Sequence, residues 1–159
     1  MNLYDNDWDV ERSYGDAHVR MMHVGRRLGS ELLGATVFEF EPGVRYISHF
    51  HHGNEEWVVV LAGEVTLRTP EGRRELKPGD VAVFRRGPDG THALANDSDS
   101  ACRVAIFSSM IHPDVVEYPE AGVVGAIAGD APTAGRDAPF EAFFRASDGI
   151  DYGDIGRKT

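Results

Sequence analysis

The sequence predicts an all-β protein whose short antiparallel strands close into a sandwich or small barrel of the jelly-roll kind. Three observations predict it. Gly and Pro recur at short intervals: Pro42-Gly43, Gly53-Asn54, Gly63, Pro70-Glu71-Gly72, Pro78-Gly79, Gly87-Pro88 and Gly90. Between these turn signals lie short runs rich in Val, Leu, Ile and Phe. No ten-residue stretch in this region repeats its apolar residues at the helical period. About eight strands joined by tight turns suit two facing sheets.

Residues 1–30 form an N-terminal extension. Met1–Val10 is polar and acidic, without the basic start and apolar stretch of a secretion signal. Arg12–Gly29 suits either an early strand or a short helix laid over the barrel. The barrel itself spans 31–118. Its strands are expected near Leu32–Glu41, Tyr46–His52, Glu56–Ala62, Glu64–Arg68, Arg73–Leu76, Val81–Phe84, His92–Ala95 and Ala101–Ser108. In the third of these, Val58 and Val60 share the face of Glu56, and Trp57, Val59 and Leu61 share the other. Both faces are apolar, so a second sheet should cover one and a partner subunit the other. A homodimer is the expectation. After Tyr118-Pro119 the composition changes, and 119–159 is expected to be a C-terminal linker and docking segment. Ala126–Pro139 is rich in Gly, Ala, Pro and Asp and suits a flexible linker. Phe140, Phe143 and Phe144 then bunch together, an odd choice for a free tail. They are expected to dock on their own barrel or on a second subunit. No internal repeat is visible.

Size and charge narrow the function classes. The chain has 159 residues, 42% of them hydrophobic, which suffices for one core. A net charge of −10 argues against nucleic acid, since the Arg pairs 26–27, 73–74 and 85–86 are isolated. The same charge would repel anionic membranes, and no segment has the length of a membrane helix. Cys102 is the sole cysteine, which excludes an intrachain disulfide and a thiolate metal cluster. It lies in the apolar run Ala101–Phe107, where a buried, inert thiol is expected. A cytoplasmic protein is the default.

One stretch carries chemistry. His49, His51, His52, Glu55 and Glu56 fall within eight residues, and His92 lies further on. Imidazoles and a carboxylate brought together on a rigid β-scaffold make a mononuclear metal site. Strand alternation puts His49 and His51 on one face and His52 on the other. If Gly53-Asn54 is a two-residue hairpin turn, His52 pairs with Glu55 and His51 with Glu56. That register chooses Glu56 as ligand and leaves Glu55 and His52 as supports or alternative ligands; a one-residue slip would reverse the choice. His18, His23 and His112 are expected to be ordinary surface or hydrogen-bonded residues. Tyr46, Phe84 and Arg85 are candidates for the mouth of the site, as is Trp57, although its register points away.

At these residues the chain resembles the cupins, specifically the small single-domain kind. Their first motif is Gly, five residues, His-x-His, three or four residues, Glu, six residues, Gly. Here it is Gly43, His49-Phe50-His51, Glu56 and Gly63, a complete match that also selects Glu56. The second motif begins at Gly79-Asp80 and ends at His92 and Asn96. Its middle departs: Arg85 stands where Pro is expected, and Pro88-Asp89-Gly90-Thr91-His92 supplies a shifted version shorter by one residue. The resemblance covers about residues 30–110. It implies a double-stranded β-helix barrel in which His49, His51, Glu56 and His92 bind one divalent ion: Fe, Mn, Ni or Zn. It says little about reaction, because the family includes dioxygenases, isomerases, decarboxylases, storage proteins and sensors. Four ligands leave two positions on an octahedral ion for water, substrate or dioxygen. An oxygenase-like metalloenzyme acting on a small organic molecule is the leading expectation. A metal-dependent isomerase or lyase, a non-catalytic small-molecule or metal binder, and a metal-free polar network are the alternatives.

Overall fold

The computed structural model describes residues 1–14, 17–129 and 140–156. Among these, strands β1 (Val10–Tyr14), β2 (Ala17–Met22), β3 (Leu33–Phe40), β5 (Glu56–Ala62), β8 (Val81–Phe84) and β10 (Cys102–Ser109) form one antiparallel sheet in the order β1-β2-β3-β10-β5-β8. A second sheet has the order β13-β12-β11-β4, from β4 (Phe50–His51), β11 (Asp114–Tyr118), β12 (Val123–Ala128) and β13 (Phe140–Arg145). A third, β7-β6-β9, comprises β6 (Val65–Thr69), β7 (Gly72–Leu76) and β9 (Ala93–Ala95). Isolated bridges Arg45↔Ala95 and His49↔His92 join the second and third sheets along residues 45–49.

Alternation explains the packing. On β5, Val58 and Val60 are buried while Trp57 is exposed. Their inward face meets Phe38, Phe40 and Val104 of the same sheet and Val65, Leu67, Leu76 and Leu94 of the third, one continuous core. Each such side chain contributes about 1.5–3 kcal/mol when fully buried. Part of the outer face of the large sheet is covered by the N-terminus: Leu3 and Trp8 pack over Met22, Val24, Val37 and Ala105. Arg103 fastens that segment, donating to the carbonyls of Leu3 and Asp5 while its guanidinium lies 4.7 Å from the Trp8 ring centroid.

The expected strands appear with small shifts, and several expectations change. The hairpin across Gly53-Asn54 does not form. β4 pairs with β11, whereas β5 pairs with β10 and β8. The two residues link facing sheets, and neither has the positive φ that such a turn demands. Distant partners hold them instead. The Gly53 N–H donates to Asp114, and the buried Asn54 side chain accepts from the Ile111 N–H and donates to its carbonyl. The strand expected at Tyr46–His52 shrinks to Phe50–His51 for the same reason. Arg12–Gly29 contributes to β1 and β2 and also holds a one-turn helix α1, Val24–Arg27. Ala126–Ala128 belongs to β12 and is no linker; residues 130–139 lie outside the described set. Phe140, Phe143 and Phe144 sit in β13, which docks on this chain's own β12. Strands pair across the boundaries expected at 30 and 118, β2 with β3 and β12 with β11. No described helix is long and apolar enough to cross a membrane.

Candidate metal centre

His49 and His92 are brought side by side by their backbones. Each N–H donates to the other's carbonyl at 3.0 Å, and the two rings stand 4.6 Å apart. His51, two residues on, presents its ring to the same side, 5.3 Å from that of His49. Glu56 opens β5 in the opposite sheet and meets all three. Its Oε2 is 3.9 Å from His49 Nε2, 3.6 Å from His51 Nε2 and 3.5 Å from His92 Nε2. Donor atoms of His49, His51 and Glu56 all lie within 4.8 Å of one another.

Each imidazole is aimed by its other nitrogen. His49 Nδ1 is 3.0 Å from the Ile47 carbonyl, and His92 Nδ1 is 2.9 Å from the Gly90 carbonyl. A carbonyl oxygen has no proton to give, so in both rings Nδ1 donates. The neutral ring then carries its lone pair on Nε2, toward Glu56. His51 Nδ1 lies 2.6 Å from Asp114 Oδ2, which fixes the same tautomer through a carboxylate. Phe84 stacks on His92 with centroids 3.6 Å apart and planes 5° from parallel, which locks that ring. Hydrogen-bonded outer nitrogens and inward lone pairs are the arrangement that metal-ligating histidines require.

The electrostatics agree. Burial pushes the His92 pKa down to about 3, with the neighbouring His49 adding to the effect. Burial also lowers His49, against the pull of Glu56. Burial pulls His51 down too, but the Asp114 hydrogen bond and the charges of Glu56 and Asp114 outweigh it and leave its pKa raised. Burial opposes ionisation of Asp114, yet bonds from His51, Asn54 and Gly53 prevail and hold its pKa below the usual carboxylate value. Three imidazoles and a carboxylate form a donor set suited to a divalent first-row ion. Ligand atoms about 2.1 Å from a common ion stand about 3.0 Å apart at octahedral angles and about 3.4 Å apart at tetrahedral ones. The contacts at Glu56 Oε2, 3.5–3.9 Å, must tighten by about 0.1–0.5 Å for tetrahedral spacing and by about 0.5–0.9 Å for octahedral spacing.

His49, His51 and Glu56 thus form one compact group; His92 Nε2 reaches Glu56 at 3.5 Å but lies outside the set whose donor atoms are all within 4.8 Å of one another, and the other candidates fall elsewhere. Glu55 accepts the Trp57 indole N–H at 3.1 Å on the exterior. His52 pairs with Glu117 at 2.6 Å, also exposed. His18 bonds Ser13 at the surface. Trp57 faces outward, and Arg85 lines an external groove of about 570 Å³ that does not touch the cluster. Tyr46 lines the cavity above the cluster, and Phe84 supports His92 from behind. Sequence reasoning missed Asp114, Tyr118 and Phe143. Asp114 is 63 residues from the histidine it holds, and its one signal was a lone Asp at the start of a strand.

The cavity, about 240 Å³, is lined by all four cluster residues together with Tyr46, Tyr118, Phe143 and aliphatic side chains. A neighbouring cavity of about 280 Å³ touches only His51 and Glu56 of the four and is lined also by His23, Arg26 and His112.

Residues 36–108 match the family model described as the cupin domain. A sugar phosphate isomerase from the cupin superfamily of Silicibacter pomeroyi superposes with a TM-score of 0.76 at 20% identity, covering 98% of this chain and 99% of that one. A protein from Acidithiobacillus ferrooxidans gives 0.72 at 23% identity over 84% of this chain and 80% of that one. The polyketide cyclase RemF of Streptomyces resistomycificus gives 0.52 at 23% identity, covering 60% and 67%. No curated protein matches the chain in sequence. At these identities the structural likeness concerns the fold. Residues 36–108, under half of the chain, match a cupin domain, and the fold around them is that of small cupin-type proteins.

Proposed function

We propose that His49, His51, Glu56 and His92 hold one divalent ion, Fe, Mn, Ni or Zn, and that the chain is an oxygenase-like metalloenzyme acting on a small organic molecule. One observation carries the metal reading: three Nε2 atoms converge on Glu56 Oε2 while each Nδ1 is committed to an acceptor behind it. A metal-free polar network would be served as well by rings turned the other way. An ion held there supplies a Lewis acid with positions left for an oxygen-bearing ligand. The chain supplies the rest. Asp114 keeps the proton on His51 Nδ1, the Ile47 and Gly90 carbonyls do so for His49 and His92, and apolar walls exclude water.

A second reading, a metal-dependent isomerase or lyase, is favoured by the likeness to the Silicibacter pomeroyi sugar phosphate isomerase over nearly the whole chain. It uses the same four residues. The test has two stages. Metal analysis after reconstitution should give one ion per chain, lost in His51→Ala and retained in His52→Ala. Sub-stoichiometric metal with each of the four ions would eliminate the reading. Anaerobic Fe(II) loading followed by oxygen-uptake assays over small phenols, thiols and keto acids then separates oxygenase from isomerase. A tight complex without turnover would identify a binder. We also infer a homodimer, joined through the outer face of the large sheet.

A further inference from the structure

The cavity shared by all four cluster residues has a consistent chemistry. Phe38, Phe40 and Ile106 line it from the large sheet, and Val116, Ile127 and Phe143 from the second. Its polar groups beyond the cluster are the phenols of Tyr46 and Tyr118. No Lys or Arg occurs among the described residues lining it. Resting on the metal reading above, we propose that this site takes a predominantly apolar, single-ring molecule that offers two adjacent oxygen atoms to the ion and carries no phosphate group.

Size sets the first limit. An apolar cavity of about 150 Å³ accepts benzene. A volume of about 240 Å³ therefore admits one ring with short substituents. Shape sets the second. Aromatic side chains line the cavity from both sheets: Phe38, Phe40 and Tyr46 form one cluster, with centroids 5.3–5.8 Å apart, and Tyr118 and Phe143 another, at 6.2 Å. Such walls favour a flat, polarisable ring.

Charge sets the third. The ion brings two positive charges, and Glu56 and the buried Asp114 bring one negative charge each. The sum is zero, so a phosphate dianion would add two uncompensated charges, whereas a neutral or singly ionised two-oxygen ligand adds at most one. Burying that dianion without a cation would cost far more than the apolar contacts return. Two oxygens matter because a four-ligand set leaves two positions on an octahedral ion. In the neighbouring cavity, which shares His51 and Glu56 with this one, a cation is present: Arg26 is among the lining residues, as is Glu31. A phosphorylated molecule would have to reach past His51 and Glu56 to use it.

The C-terminal strand takes part in this selection. Phe143 pairs across from Gly125, whose missing side chain leaves room for the ring. A Cβ there would stand 2.7 Å from Phe143 Cε1 and 2.8 Å from Val116 Cγ1. Phe143 is thereby laid toward the cavity, although its strand lies beyond the family-matched segment.

Calorimetry on the full Zn(II)-loaded chain tests the inference, with catechol and ribose 5-phosphate as probes. Catechol should bind the loaded protein at least about tenfold more tightly than the metal-free protein. Ribose 5-phosphate should bind no better than inorganic phosphate. Phe143→Ala should weaken catechol at least about threefold at unchanged zinc content, and Arg26→Ala should leave it unaltered. Tighter binding of ribose 5-phosphate than of catechol, or its selective loss in Arg26→Ala, would overturn the inference. Zinc uptake without catechol binding would overturn the ligand class alone. Failure to take up any of the four ions would overturn the metal reading and this inference with it.

Discussion

His51 is gripped at both ends, by Glu56 in front and by Asp114 behind. Asp114 is only 5% exposed and also accepts the Gly53 N–H, so it ties His51 to the crossover that places Glu56. Asp114→Ala should lower metal affinity by about 10–100-fold. Asp114→Asn, whose amide oxygen can still accept from Nδ1, should recover part of that loss. Competition against a chelator of known affinity measures both, and equal affinities for wild type and Asp114→Ala would remove Asp114 from the site. The raised pKa of His51 gives a sign for pH. Below that pKa a proton occupies Nε2 and must leave before an ion can bind. Affinity should therefore fall with acidification, approaching about tenfold per pH unit for one displaced proton. Cys102 tests burial independently. Its thiol is pushed up to about 12 by desolvation, so iodoacetamide at pH 8 should leave the native sole cysteine unmodified and label it in denaturant. At this scale the cluster was legible because His49, His51 and Glu56 lie in one short run with fixed spacing. Asp114 was not, because nothing local marks an aspartate whose partner arrives from a distant strand.

Elements were legible where alternation and turn chemistry are local. Glu56–Ala62 and Val81–Phe84 emerge at their expected bounds, each flanked by Gly or Pro. The hairpin at Gly53-Asn54 was misread because either residue tolerates a turn. What decided the path was the set of hydrogen bonds from Asn54 to residues 109–111, invisible to any local pattern. Glu56 nonetheless faces the histidines, as the hairpin register also expected. Facing sheets and a hairpin both put alternate residues of β5 on the inner side, so parity alone selects Glu56 over Glu55. Gly63 shows the opposite case, a residue whose identity is forced. It has φ +70°, and a Cβ would stand 2.7 Å from the Ala101 carbonyl oxygen and 2.8 Å from Cys102 Cα. Both obstacles are backbone or close to it and cannot swing aside. Gly63→Ala should cost about 2–4 kcal/mol, read as a lowered urea midpoint at unchanged slope. A loss below about 0.5 kcal/mol would mean that β10 can retreat.

At the scale of the whole molecule, the large sheet is dressed unevenly. Leu3 and Trp8 cover its outer face over β2, β3 and part of β10. Beyond them the cover stops. Phe107, Trp57 and Val83 form one cross-strand row, exposed by 37%, 46% and 44%, and Val81 beside them is 47% exposed. A contiguous apolar surface on a regular sheet marks an interface. The chain carries a net charge of −10, so two copies repel except where they meet through uncharged surface, and this row is uncharged. This is the face through which we propose that a second copy binds. Val81→Asp would introduce like charges at the seam, opposite Val59 and one full strand from Glu56. Sedimentation should show wild type at about twice 17.4 kDa and Val81→Asp at about 17.4 kDa, with zinc content unchanged. The melting temperature of wild type should rise with protein concentration and that of the variant should not, as mass action requires of a dimer. A wild-type monomer at micromolar concentration would refute the interface and leave the metal centre untouched, because all four cluster residues and the bonds that aim them come from one chain.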